Sequence, residues 1–173
     1  NYDVAIIGGG PGGYVAAIHA AHLGARVALI EQDRLGGVCL NAGCIPTKAL
    51  VKSAEVLLQA RRAPEFGVEV GAVQPNFGRM MERKRLVVNR LVGGIEQLIK
   101  GNGIALIRGI GRLRSRNTVE VTGADGTRQV AAARVIIATG ARDSRIPVPG
   151  LDLPGVINSE QALELEEVPR SIA

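Results

Sequence analysis

The sequence predicts an α/β protein with a parallel sheet followed by a small antiparallel β meander. Its composition is typical of a close-packed α/β domain, because 46% of the 173 residues are apolar, 2% are aromatic and 23 are glycine. The first thirty residues alternate between strand-like and helix-like patterns, and several short strand-like runs follow residue 104. A chain of this length suits one domain with a substantial core.

The first elements form a βαβ unit. An apolar run over residues 3–7 leads into a glycine-rich turn, and an alanine-rich helical pattern over residues 12–23 follows, with Gly24 as its expected C-terminal cap. A second strand over residues 26–30 ends at Glu31. Strand, glycine turn, helix and strand are the unit from which parallel sheets are built.

The later elements are two helices and a set of short strands. Helical patterns cover residues 48–62 and 79–100, the second with the stronger three- and four-residue spacing, and residues 64–74 are irregular. Strands are expected over 104–108, 118–122, 128–132 and 135–138, with a hairpin turn over 123–126. Prolines after residue 140 indicate a linker, so we place a domain over residues 1–145 and a linker over 146–173.

Gly8, Gly10 and Gly13 form a G-x-G-x-x-G motif between a predicted strand and a predicted helix, with the acidic residue Glu31 at the end of the next strand. This is the context in which the motif indicates a dinucleotide site. Gly8 permits the tight turn, Gly10 lets the backbone approach a pyrophosphate, and Gly13 permits close contact between helix and strand. The N-terminus of the following helix attracts phosphates, and Glu31 can accept hydrogen bonds from a ribose diol. The alternative is that these glycines only turn the chain.

Cys39 and Cys44 are the only cysteines, and they lie in one short run. In a regular helix their α-carbons would be about 8 Å apart or more, whereas a disulfide needs roughly 4.4–6.8 Å. A bridged pair therefore requires a bend or a non-helical start, for which Gly43 and Pro46 give the freedom. The alternatives are two small buried side chains, or a metal site that would also need His19 and His22, which we interpret as packing or surface residues.

The residues after Cys44 predict where its thiol lies. Pro46 suits the first turn of a helix, so Cys44 is expected near the positive end of that helix, where a thiolate is favoured. Lys48 comes one turn later, and its spacing fits both a solvated lysine and a side chain that faces a bound cofactor.

Charge and hydropathy disfavour two other classes of protein. The net charge of +5 is spread along the chain apart from basic residues on the helix over 79–100, and few aromatic residues accompany them. We interpret those residues as a solvated helix face and expect no nucleic-acid partner. No apolar stretch approaches the ~20 residues of a membrane span, and no signal peptide opens the chain, so we expect a soluble cytoplasmic protein.

Several motifs together resemble the FAD-dependent pyridine nucleotide–disulfide oxidoreductases, and within that family the dihydrolipoamide dehydrogenases. They are the glycine motif, Glu31, the run Gly-Gly-x-Cys-x4-Cys-Ile-Pro-Thr-Lys and the tripeptide Ala138-Thr139-Gly140. The resemblance covers the whole chain in order. It implies a Rossmann-like FAD-binding domain that is incomplete relative to the family.

The resemblance also implies a role for each site residue. The glycine motif would bind the ADP half of FAD, with Glu31 on its ribose. Cys39 would exchange with the substrate disulfide, Cys44 would lie against the flavin ring, and Lys48 would approach the flavin N5. Further FAD contacts would come from the backbone of Gly37, Gly111, Thr139, Gly140 and Ala141.

The activity implied is electron transfer from a dithiol through Cys39–Cys44 and FAD to NAD. The family is homodimeric, and a multienzyme complex is possible. The chain corresponds to about the first third of such an enzyme, so the NAD site is not expected within it, and alone it would bind FAD weakly and be inactive. The alternatives are a reductase of another disulfide or of mercuric ion, and a non-catalytic nucleotide-binding fragment.

Overall fold

The computed structural model describes residues 1–144 and 146–173. They divide into two compact units, one formed by Asn1–Asn41 with Arg90–Ser144, the other by Ala42–Asn89 with Arg145–Ala173, of which Arg145 itself lies outside the described residues. None of the described helices is long and apolar enough to cross a membrane.

The first unit contains six strands in one sheet. They are β1 (Tyr2–Ile7), β2 (Val27–Glu31), β3 (Ala105–Arg108), β4 (Ile110–Ser115), β5 (Thr118–Gly123) and β6 (Gly126–Ile137). The strand order is β3-β2-β1-β6-β5-β4. The neighbours from β3 to β6 are parallel, and β6, β5 and β4 are antiparallel. The predicted parallel sheet with a small antiparallel meander is therefore confirmed.

The first helix connects the two central parallel strands. Helix α1 (Pro11–His22) follows the glycine turn, and Gly24 beyond its end has φ of 84°. This is the left-handed conformation expected of a glycine that ends a helix. β1 and β2 then pair in parallel from Val4↔Val27 to Ile7↔Ile30.

Two sequence predictions about the strands were wrong. The strands expected over 128–132 and 135–138 are one strand, β6, which pairs with β5 as far as Ala131 and with β1 from Ala132 onward. Arg134 lies in the predicted gap between them; its side chain is exposed, but its backbone continues the ladder. β4 was missed because its side chains are mostly exposed and include two arginines, as is common at a sheet edge.

A continuous core lies between one face of the parallel strands and the meander. Its buried members are Ala5, Ile7, Ala28, Ile30, Ile107, Val119, Val121, Val130 and Ala132. A Cβ built on Gly111 of β4 would lie 3.0 Å from Ile7 Cγ2 and 3.1 Å from Ile30 Cγ2. The meander therefore packs directly on the parallel strands.

Helices dominate the second unit. The chain forms α2 (Gly37–Ala42), α3 (Cys44–Arg62), a 3-10 turn (Ala63–Phe66), α4 (Phe77–Gly101) and α5 (Ser159–Ala162). Of these, α2 and α4 run across the division between the units. The helix expected over 79–100 is confirmed, α3 begins four residues before the predicted start at 48, and α5 was not predicted. Apart from the 3-10 turn, the irregular stretch after residue 63 is also confirmed.

The interpretation of the basic residues of α4 as a solvated face was wrong for Lys84. Its side chain is 2% exposed, and its Nζ donates to the carbonyl of Leu163 and to Oε1 of Glu164, each at 2.6 Å. The neighbouring Arg83 donates to the carbonyl of Ala49 at 3.0 Å. A buried ammonium is tolerated when such acceptors replace water, which a pattern of charges cannot reveal.

Candidate functional site

The turn between β1 and α1 is fixed by contacts that leave no room for a side chain at two of its glycines. Gly8 has φ of 105°, and a Cβ on it would lie 2.1 Å from the carbonyl oxygen of Ala138. A Cβ on Gly13 would lie 1.7 Å from the carbonyl oxygen of Gly8 and 3.6 Å from Ile6 Cγ2. These two positions need glycine for the packing of strand and helix, whatever the turn binds.

Gly10 differs from the other two glycines of the motif. A Cβ on Gly10 would make only an ordinary contact, 3.6 Å from the α-carbon of Gly37. Packing within the chain therefore does not demand a glycine here. The close approach of a phosphate stays the predicted reason for it.

Glu31 is held at this turn by backbone groups. Its Oε2 accepts a hydrogen bond from the N–H of Gly9 at 2.6 Å, and its Oε1 accepts one from the N–H of Asp33 at 2.8 Å. Arg108 donates to the carbonyl of Asp33 and, at 3.3 Å, to Oε1 of Glu96, which ties this loop to β3 and α4. The structure thus brings together the predicted carboxylate and the glycine turn.

The N-terminus of α1 is suited to an anion. Gly10 is its N-cap, Pro11 begins it, and within the described residues no side chain caps it and no acidic residue lies in its first turn. The first backbone N–H groups of a helix have no acceptor within the helix. A pyrophosphate over this turn, with Glu31 beside it for a ribose, fits these donors and acceptors.

The two cysteines lie on consecutive helices. Cys39 is half-buried in α2, Cys44 is exposed as the first residue of α3, and both are recorded as thiols. Gly43 separates the helices with φ of −144° and ψ of −105°. The chain therefore bends at Gly43, as a bridged pair would require, whereas Pro46 lies within α3.

The first turn of α3 contains the remaining predicted residues of the thiol motif. Pro46 is buried within it, and Lys48 lies one turn beyond Cys44 on the same helix, with an exposed side chain. The first turn has no acidic residue. His19 and His22 are exposed on α1, and among residues 1–144 and 146–173 no three His, Cys, Asp or Glu side chains meet as a metal site.

The last group of predicted residues follows β6. The N–H of Ala138 donates to the carbonyl of Ile7 at 2.8 Å, so the segment that continues into Thr139, Gly140 and Ala141 starts beside the glycine turn. Gly111 has a packing reason to be glycine, in its contacts with the core. Cofactor contacts of these four residues stay predictions.

Sequence reasoning missed Asn41. Its Nδ2 donates to the carbonyls of Leu35 and Gly37, both at 3.0 Å, while its Oδ1 is buried without a partner among the described residues. The available signal was an amide side chain between two cysteines, in a short run that is otherwise small or apolar.

The chain is similar to known proteins over nearly its whole length. The family model described as pyridine nucleotide-disulphide oxidoreductase matches residues 2–173. The chain is 44% identical to a dihydrolipoyl dehydrogenase of Bacillus subtilis (strain 168), over 99% of this chain and 38% of the relative. It is 45% identical to one of Chlorobaculum parvum (strain DSM 263 / NCIMB 8327), over 99% of this chain and 37% of the relative.

A solved structure shows the same fold. It is the Cu(II) complex of the HOCl-induced flavoprotein disulfide reductase RclA from Escherichia coli, with a TM-score of 0.82, 33% identity, and coverage of 98% of this chain and 35% of that one. The chain therefore spans a little over a third of the length of these three relatives. On the match of residues 2–173, it belongs to the pyridine nucleotide-disulphide oxidoreductase family.

Proposed function

We propose that this chain binds FAD and contains the redox-active cysteine pair of a dihydrolipoyl dehydrogenase-like enzyme. One observation supports this most directly. Gly37, the first residue of α2, packs on the glycine turn so closely that a Cβ on it would lie 2.8 Å from the α-carbon of Gly10. A helix that contains a cysteine therefore begins against the turn that suits a pyrophosphate.

The nucleotide is bound by backbone groups and one carboxylate. The glycine turn and the N-terminus of α1 receive the pyrophosphate, and Glu31 accepts hydrogen bonds from the ribose of the ADP half. Each Glu31 oxygen already accepts one backbone hydrogen bond and keeps a further lone pair. A 2′-phosphate would meet this carboxylate with like charge, which favours an adenosine with a free diol.

The cysteine pair exchanges electrons with a dithiol. A substrate thiolate attacks the sulfur of Cys39 in the Cys39–Cys44 disulfide and releases Cys44 as a thiolate, and the second substrate thiol then displaces Cys39. The substrate leaves as a disulfide, and both cysteines are thiols. FAD, when bound, supplies the two-electron chemistry that restores the disulfide, and Lys48 lies one turn from Cys44 to face its ring.

The whole enzyme extends beyond the residues described. NAD is the proposed final acceptor, and no residue of this chain is assigned to it. A homodimer and attachment to a multienzyme complex belong to the same proposal, through the likeness to dihydrolipoyl dehydrogenases.

Titration with FAD, followed by flavin fluorescence, tests the nucleotide site. Glu31→Gln removes the charge that strengthens hydrogen bonds to the ribose, so we expect FAD binding to weaken about tenfold. Glu69→Gln, an exposed carboxylate in the irregular segment, is the matched control and should bind as the wild type does. Absence of FAD binding by the wild type, or equal binding by Glu31→Gln, would contradict the proposal.

Absorbance after two-electron reduction tests the thiols. The wild type should show a long-wavelength charge-transfer band, which Cys44→Ser abolishes and Cys39→Ser retains. If both variants keep the band, the assignment of the two thiols is wrong.

A second candidate keeps FAD and the cysteine pair but reduces a different substrate. The likeness to RclA, whose description is that of a disulfide reductase, supports it. Steady-state rates of the full-length, flavin-loaded enzyme with dihydrolipoamide, other disulfides and mercuric ion distinguish the two. A fragment without turnover would bind FAD and respond to none of them.

A further inference from the structure

The amide of Asn41 connects the end of α2 to the loop that precedes this helix. Its two N–H groups donate to the carbonyl of Gly37, in the first turn of α2, and to the carbonyl of Leu35, which lies before the helix. Two carbonyl oxygens at 3.0 Å identify the nitrogen unambiguously, since an amide oxygen in its place would face both of them without a hydrogen. The side chain therefore acts here as a double donor.

The same loop is attached to the glycine turn. The N–H of Gly36 donates to the carbonyl of Gly9 at 2.9 Å. The fully buried side chain of Leu35 packs on Gly9 so closely that a Cβ on Gly9 would lie 2.6 Å from Leu35 Cδ2. Gly37 packs on Gly10. Residues 35–37 thus contact the turn at three consecutive positions.

Asn41 closes a connection between Cys39 and the nucleotide turn. Cys39 lies within the six-residue helix α2, and a helix this short has little stability of its own. The amide of Asn41 adds one bond within α2, to the carbonyl of Gly37, and one that holds the far end of α2 on the loop, to the carbonyl of Leu35. The loop is in turn held on the glycine turn. A shift of α2 relative to the loop would break the bond to Leu35 and leave its carbonyl oxygen without this donor.

We propose that Asn41 is a positioning residue that sets the cysteine-containing helix α2 on the nucleotide-binding turn through its two N–H donors. Its consequence, the placement of the thiol relative to the flavin, rests on the proposed function. The buried Oδ1 suggests a competing role, in which Asn41 acts as an acceptor for a donor on a bound molecule.

The substitution Asn41→Asp separates the two roles because it keeps the shape and the acceptor oxygen but removes both donors. Asn41→Leu removes both functions at similar volume, and Asn41→Ser keeps one donor in case the larger changes prevent folding. Asn102→Asp is the matched control, since Asn102 also donates from Nδ2 to a carbonyl, that of Leu98, at the end of α4.

Two measurements decide the proposal. In flavin-free protein, amide hydrogen exchange over residues 35–41 should rise about tenfold in Asn41→Asp and Asn41→Leu, less in Asn41→Ser, and not at all in Asn102→Asp. In flavin-saturated, two-electron-reduced protein, the charge-transfer absorbance per bound flavin should fall most in Asn41→Asp and Asn41→Leu, less in Asn41→Ser, and not at all in Asn102→Asp. A loss of stability alone leaves that absorbance unchanged, because it is normalised to bound flavin.

Wild-type behaviour of Asn41→Asp in the exchange experiment would overturn the inference, and damage by Asn41→Leu alone would assign the acceptor role instead. Failure of the wild type to bind flavin would refute the proposed function. The exchange measurement needs no flavin, so it would still decide whether Asn41 holds α2 on the turn.

Discussion

The glycine turn and helix α3 each contain residues assigned to the proposed function, and the two elements are fixed in different ways. At Gly8 and Gly13 of the turn, backbone atoms exclude any side chain, as the 1.7 Å approach of a Gly13 Cβ to the Gly8 carbonyl shows. In α3, by contrast, only Pro46 and Ala49 are buried among nineteen residues. Substitutions at these two glycines of the turn should therefore lower stability by steric overlap even without a ligand. Substitutions at exposed positions of α3 should instead change the proposed reaction and leave stability nearly unchanged.

The largest effect expected from this difference is that of Gly13→Ala. The new methyl group would overlap the carbonyl oxygen of Gly8, so we expect the free energy of unfolding to fall by about 3 kcal/mol. Gly12→Ala is the matched control, because a Cβ there meets only Ala138 Cβ at 3.9 Å. Urea denaturation of the ligand-free protein measures both. Equal stability of the two variants would show that backbone contact does not fix the turn.

A smaller effect is expected where a polar contact, rather than backbone packing, holds the chain. Lys84→Met removes the donor to Leu163 and Glu164 and should lower the free energy of unfolding by about 2 kcal/mol, the range for hydrogen bonds to a charged group. Arg85→Met, exposed on the same helix, should change it by less than about 0.5 kcal/mol. If urea denaturation finds the two variants alike, the buried ammonium contributes no net stability.

A glycine without close neighbours should respond in the opposite direction to Gly13. Gly94 lies inside α4, and nothing would come within 4 Å of a Cβ placed on it. Gly94→Ala should therefore raise the free energy of unfolding by about 0.5–1 kcal/mol through helix propensity. Thermal denaturation measures the gain. A loss would indicate that α4 needs the glycine for a reason other than space.

The smallest effect expected is a pH dependence at the start of β1. The hydrogen bond from the Arg26 guanidinium, together with its N–H, holds the pKa of Asp3 below its usual 3.8. Because the folded pKa is the lower one, the contribution to stability is present above about pH 4 and is lost as the pH falls through the folded value. It is small because both side chains are exposed.

Comparison of Asp3→Asn with the wild type in urea tests this contribution. The wild type should be slightly more stable at pH 6, and the difference should shrink toward pH 2. High salt should also reduce it. A difference that grows on acidification would contradict the assignment of the shift to Arg26.

How much the sequence could predict depended on whether a feature was local. The βαβ unit, the motif glycines and the interruption at Gly43 follow from turn chemistry and short-range periodicity, and the structure places them as expected. The continuity of β6 and the burial of Lys84 depend on partners far along the chain, Tyr2–Ile7 for the strand and Leu163 for the lysine. Asn41 was missed because its acceptors are backbone carbonyls, which every residue has.

The continuity of β6 also makes the meander part of the same core as the parallel strands. Val119 and Val121 of β5 belong to the same buried cluster as Ile7, Ile30 and Ile107 of the parallel strands. Excision of residues 110–125 would remove these two valines and expose the remaining members of the cluster to water. A minimal version of this domain must therefore keep the hairpins, although none of their side chains is proposed to touch the thiols.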